Sequence, residues 1–387
     1  MRARHSTFGI FVALALAVPA QATCDAANRF TFSYGSRPAQ TLSYGSTYNY
    51  NATNGLGTNR AFSVRITQNG LTSTMVGGEQ APAISDLISG STVQNTLVVG
   101  GILSSRTANI TGSTRLMKVV FTFPQPVRTF SMTLHDIDFA SNQFRDWIYV
   151  DGADADGNVY TPVMTAPAGN GNQTGQPTTA TASSVTFQQG GTAARQATGR
   201  NESGNNANTG NVDVSFAQPV TTVTFNYGNA PLQADESQTG QQGVGIAGIA
   251  FCPMPDVQVT KTSAPVTGTL GAYNLPANDV IYTLTVTNTG GSPVDASSLT
   301  LIDDLPANVE FRNQAFDGTT TLPVKLVTAG GTSLAAGGLA YRQTSQTAYT
   351  YTPAAGYDPQ VGGVRIIPGG TLGANSTMVL QFRARIK

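Results

Sequence analysis

The strongest constraint on the fold is strict two-residue alternation. In the segment VIYTLTVTN, Val280, Tyr282, Leu284 and Val286 fall on one side and Ile281, Thr283, Thr285 and Thr287 on the other. The last segment repeats the pattern, with Met378, Leu380, Phe382, Ala384 and Ile386 set against Gln381, Arg383, Arg385 and Lys387. Successive side chains of a strand point to opposite faces, so such runs read as half-buried β-strands. Similar short segments, bounded by Gly, Asn and Pro, recur from FTFSYGSRPAQTLSYGS onward, and long runs of helix formers are almost absent. The expected class is all-β: a jelly-roll-like β-sandwich followed by an Ig-like β-sandwich.

The first residues read as a secretory signal. Arg2 and Arg4 precede an apolar stretch over 8–18, and Pro19 leads into the small-residue box Ala20-Gln21-Ala22. That stretch falls short of the ~20 residues needed to span a bilayer, and no later segment reads as a membrane span. The expected divisions are therefore a signal peptide over 1–22, a sandwich with long loops over 23–254, and a second module over 255–387. A secreted or cell-surface location follows. The chain has 21 basic and 21 acidic residues, and losing Arg2 and Arg4 leaves a small acidic excess. Neither nucleic acid nor anionic membrane finds an electrostatic footprint here.

Two cysteines, Cys24 and Cys252, lie at the two ends of the first division. In an oxidising compartment they are expected to form a disulfide joining first strand to last. His135 is the only histidine after the signal, and neither Cys-x-x-Cys nor Gly-x-Ser-x-Gly occurs. Zinc chemistry and a serine-hydrolase elbow are thus not expected. Gly243, Gly245 and Gly248 form a Gly-x-Gly-x-x-Gly, but a strand follows them where a dinucleotide site needs a helix.

One internal repeat relates FTFPQPVRTFSMTL (121–134) to VSFAQPVTTVTFNY (214–227). Each is expected to be a hairpin-like unit, with Pro126 and Pro219 in the turns. The segment 166–210 between them holds few large apolar residues and should form long surface loops.

The stretch LHDIDFASNQFRDWIYVDGADADGN gathers Asp136, Asp138, Asp146, Asp151, Asp154 and Asp156 in a chain otherwise poor in charge. Phe130, Met132 and Leu134 alternate, and the same parity puts Asp136 and Asp138 where core residues are due. Either the strand ends near Leu134, or those acids have a cation or Arg145 as partner. A hard cation such as calcium would suit several carboxylates together. The EF-hand register fails, because its first position falls on Gly152 and its last on Val163. A hairpin turn explains DGADADGN equally well. Trp147, the only tryptophan, could stack on a sugar ring or pack in the core. A glycosidase would need two facing acids with distinct roles, and six candidates without a cleft pattern single out no pair. No catalytic residue is assigned and no enzymatic activity is expected.

In the C-terminal third, DVQVTKT, VIYTLTVTNTG and LIDDLPANVEF occur in that order within 256–311. On these landmarks the segment resembles the conserved-repeat Ig-like module, a domain of unknown function found in bacterial cell-surface proteins. Asp303 and Asp304 read as solvated acids at a strand end followed by a rigid Leu-Pro corner. The resemblance implies a spacer or display role and no catalytic residues. LHDIDF, WIYVDGADADGNVYTPV and GIAGIAFC give the first division a fainter similarity to secreted bacterial jelly-roll sandwiches that often bind carbohydrate. Together these readings imply a structural, adhesive or ligand-display protein, or alternatively a calcium-dependent carbohydrate-binding protein. Its partners would be extracellular glycans or other cell-surface components.

Overall fold

The structure, a computed structural model, describes residues 24, 28–167, 170–173, 183–231, 240–266 and 273–387. The expected signal peptide, 1–22, and part of the expected loop region over 166–210 lie outside the described residues. The chain is all-β, and the helical pieces among the described residues are short 3₁₀ turns such as Gly191–Arg195. It divides into two compact units, with the boundary between Met254 and Pro255. Among the described residues no helix is long and apolar enough to cross a membrane.

Among the described residues, the first unit is built on a continuous network of 17 antiparallel-paired strands folded into two layers. Its spine is the twenty-residue strand Leu116–His135. The first half of the spine lies between Asn59–Asn69 and Val220–Asn229. Its second half lies between Val212–Ser215 and Gln242–Pro253. Phe144–Ala153 and Gln196–Gly199 extend the first layer, whereas Phe30–Ser33 and Thr96–Leu103 extend the second.

A strand can serve two layers only by bending, and the inward parity records the bend. Met117, Val119, Phe121 and Phe123 are buried before it, then Phe130, Met132 and Leu134 after it, so the phase shifts by one residue. The pairing register breaks between Thr122 and Val127, and Thr129 has φ +49°. The Pro126 segment is therefore a corner inside one strand and not a hairpin turn. Pro219 lies in the matching corner, between Val212–Ser215 and Val220–Asn229, and Val127 pairs with Val220. The two copies of the repeat run antiparallel through both layers and cross together. Proline suits a corner because the ladder is already interrupted there.

Aromatic rings fill the space inside the corner. Phe123 lies 4.9 Å from Phe251, 5.9 Å from Phe130 and 6.1 Å from Phe62, centroid to centroid. Burying each ring contributes about 2–3 kcal/mol. Across the layers' edge, the disulfide between Cys24 and Cys252 ties the start of the unit to its last strand.

The second unit packs two principal sheets. Val257–Pro265, Asp279–Asn288, Ser376–Ile386 and Val309–Asn313 lie side by side in one, and Leu301–Asp304, Val361–Ile366 and Leu339–Gln343 in the other. Val280, Tyr282, Leu284, Val286, Met378, Leu380, Phe382 and Ala384 are buried in the shared core, as the alternation predicts. The expectation for Asp303 is corrected. It is 5 % exposed inside a strand, because it shares the inward parity of Leu301, whereas Asp304 faces out to Arg342.

Candidate functional site: an acidic cavity in the first unit

At His135 the spine leaves the second layer, and the backbone reverses at Asp136, with φ +67°. This left-handed conformation is one that Asp tolerates better than most residues. Ile137 is then fully buried, and a short pairing of Phe139–Ala140 with Arg145 and Phe144 feeds the chain into Phe144–Ala153 of the first layer. In that strand Asp146, Ile148 and Val150 point inward. Three of the six aspartates thus meet where the chain passes between layers. Asp136 is 8 % exposed, Asp138 6 % and Asp146 0 %.

The loop after Gly199 closes over them. Ile137 donates its N–H to the Gly210 carbonyl at 2.9 Å, and Phe139 donates to that of Asn201 at 3.2 Å. A Cβ on Gly199 would lie 1.6 Å from the Asp138 carbonyl oxygen, so only glycine allows this approach. Ser203 donates its N–H to Asp138 Oδ2 at 2.9 Å. Asp146 accepts from the Tyr227 hydroxyl at 2.5 Å and from the Asp138 N–H at 3.1 Å. Asp136 Oδ1 is buried with no hydrogen-bond partner among the described residues. Arg145 donates to the Gly199 carbonyl at 2.7 Å, and its guanidinium lies over the Phe139 ring.

Asp136 and Asp138 open onto a cavity of about 490 Å³, whose wall also includes Glu202, Ser203, Asn205, Gln143 and Phe144. Burial, then repulsion from Asp138, raises the Asp136 pKa to about 8. Burial also raises Asp138 to about 6, with the Ser203 N–H pulling down and Glu202 pushing up. Asp146 is held well above the ordinary carboxylate range by burial and then by Asp138, despite its hydrogen bonds from Tyr227 and Asp138. Every ligand-competent atom in this set is an oxygen or an amide, which suits a hard cation and not zinc or copper. Among the described residues, no three or more His, Cys, Asp or Glu side chains form a group that could hold a metal ion.

The other three aspartates lie elsewhere. Asp151 accepts from the Tyr149 hydroxyl on the outer face of its strand. Asp154 caps the hairpin between Phe144–Ala153 and Val159–Tyr160, accepting from the backbones of Asp156 and Asn158 and from the Tyr160 hydroxyl. These bonds lower its pKa to about 2, Tyr160 foremost. Asp156 is exposed in the same turn. Trp147 is half-buried on the outer face, donates its indole N–H to Gln196 at 3.1 Å, and does not line the cavity.

His135 has Nδ1 2.8 Å from Asn211 Oδ1, and its Nε2 is buried without a hydrogen-bond partner among the described residues. Burial lowers its pKa. Gly243, Gly245 and Gly248 lie inside the strand Gln242–Pro253, with no helix opening from them.

Removing the Tyr227 hydroxyl is expected to cost about 1–3 kcal/mol, since a buried carboxyl then loses a partner. Urea unfolding of Tyr227→Phe measures this, and a loss below about 0.5 kcal/mol would mean the bond contributes little. Compared with known proteins, the chain matches no family model and no curated protein.

Proposed function

We propose that this is a non-catalytic, secreted or cell-surface protein that displays a ligand site on its first unit, with calcium entering the acidic cavity and supporting binding of extracellular glycans or other cell-surface components. The observation carrying this reading is Asp136 Oδ1, without a hydrogen-bond partner among the described residues and buried beside Asp138 in a cavity whose wall joins Glu202, Ser203, Asn205 and Gln143 to the apolar Val76, Ile88 and Phe144. A buried carboxylate without a partner is costly, and a divalent cation removes that cost by favouring the ionised form. Phe144 in the same wall offers an aromatic face to a sugar ring.

The disulfide supports an extracellular setting, as does the signal pattern at 1–22. The Ig-like resemblance of 255–387 supports a spacer that carries the first unit.

Thermal unfolding in calcium and in excess chelator tests the reading. At a hundredfold excess over Kd, calcium is expected to raise the Tm by about 5–10 °C. The Asp136→Asn/Asp138→Asn variant is expected to lose that rise, and a glycan screen in calcium then identifies the ligand class. Coincident wild-type curves would remove calcium and leave a structural or adhesive display protein.

A further inference from the structure

The second unit contains a buried pair that the cavity does not use. On Val257–Pro265 the inward parity runs Val257, Val259, Lys261, and on Leu301–Asp304 it runs Leu301, Asp303. These strands belong to different sheets. Lys261 Nζ meets Asp303 Oδ1 at 2.5 Å, and each side chain is 4 % exposed. Lys261 Nζ lies 4.4 Å from the centre of the Tyr282 ring and 6.0 Å from that of Phe382. Asp303 Oδ2 is buried with no hydrogen-bond partner among the described residues.

An ion pair in such a place is poorly served. Desolvation of two charges is repaid only when the remaining lone pairs are also satisfied, and here one carboxylate oxygen has nothing to accept from among the described residues. Burial disfavours the charged form of the Asp303 carboxyl. An amine and a carboxylic acid are the reactants of an amide.

We infer that Lys261 and Asp303 condense into an amide that covalently joins the two sheets of the second unit. A proton passes from the ammonium to the carboxylate across their contact. The Nζ lone pair then attacks Asp303 Cγ, forming the C–N bond. One C–O bond breaks, and its oxygen departs as water, carrying the carboxyl proton and one amine proton. Charge and atoms balance without an oxidant or a co-reactant. Burial of both side chains keeps bulk water from Cγ, which opposes the reverse hydrolysis, and the product is one neutral amide. Burial raises the Asp303 pKa against the pull of Lys261, and Asp304 on the same strand pushes it further up, which supports the acid form that must react.

Intact-mass spectrometry of the whole reduced and denatured protein tests this. The expected mass is lower than that of the sequence by one water, and digestion is expected to yield a branched peptide joining the Lys261 and Asp303 segments. Lys261→Arg should restore the full mass. In Asp303→Asn the leaving group becomes ammonia and the product is the same amide, so that variant is expected at the mass of cross-linked wild type. Wild type at full mass, with Lys261 open to acetylation after denaturation and no branched peptide, would overturn the inference and leave a plain ion pair. That wild-type measurement decides the matter even if a variant does not fold.

Discussion

Replacing Cys24 and Cys252 with alanine is expected to destabilise the first unit by about 3–5 kcal/mol, the upper part of the range seen for disulfides. The two cysteines are 228 positions apart, so the bond closes nearly the whole unit into one loop. In the chain-entropy model a loop that long restricts the unfolded ensemble strongly, and the restriction grows only slowly beyond it. The folded side adds a local term. Cys252 is fully buried and occupies the last strand opposite Arg128, next to the corner where the spine changes layers. Losing the bond frees the start of the chain from that strand, leaving the hydroxyl of Thr129 on the neighbouring spine strand, which donates to Cys24 Sγ at 3.0 Å, as its local contact. Guanidinium unfolding of wild type with and without reductant, beside the double variant, checks the effect. The reduced protein and the variant should agree, and both should show a larger denaturant dependence because their unfolded chains expose more surface. A loss below about 1 kcal/mol would mean that the unfolded state keeps its ends together without the bond.

The legibility of this molecule in its sequence follows the reach of local patterns. Alternation identified the inward faces of Asp279–Asn288 and Ser376–Ile386, because a strand paired regularly on a flat stretch of sheet keeps its parity. Parity fails at the corner of Leu116–His135, where the register break and Thr129 invert the faces. The Phe-x-x-Pro-Val repeat was visible, but a proline corner and a proline turn look alike in sequence. For the site, the misplaced charge at Asp136 and Asp138 was the informative feature. Asp146 carries the same feature, two residues before Ile148 and four before Val150, as do Lys261 after Val259 and Asp303 after Leu301. Grouping Asp151, Asp154 and Asp156 with them rested on closeness along the chain. Eight residues of extended strand separate Asp146 from Asp154 by about 26 Å, so nearness in sequence becomes distance in space. Glu202 and Ser203 reach the cavity from a polar loop whose composition says nothing about what it covers.

Acidification should stabilise the first unit, the reverse of ordinary acid denaturation. In chelator, the folded protein keeps a proton on Asp136 up to pH about 8 and on Asp138 up to about 6, whereas unfolded aspartates release theirs near 4. Between those limits the native state binds more protons than the unfolded one, so stability falls as pH rises. The contribution is complete below about pH 4 and is lost as pH passes the folded values. For Asp136 alone it is on the order of 6 kcal/mol. Asp146 acts in the same sense, since burial also raises its pKa. His135 opposes them, because burial lowers its pKa and acid charges it more readily in the unfolded chain. Glu202 adds repulsion to Asp138 once ionised, and the Arg145 guanidinium is engaged with the Gly199 carbonyl and the Phe139 ring. Three carboxyls against one imidazole decide the sign. Urea midpoints between pH 5 and 8.5, for wild type and Asp136→Asn, measure it. Asparagine accepts the left-handed backbone at this position and cannot ionise, so the variant should show a flatter profile and exceed wild type at pH 8.5. Saturating calcium should restore wild type at that pH and leave the variant unchanged, because a cation and a proton stabilise the same oxygen by different means. Parallel profiles for wild type and Asp136→Asn would mean that Asp136 ionises without cost, and the cavity would then have no need of a cation.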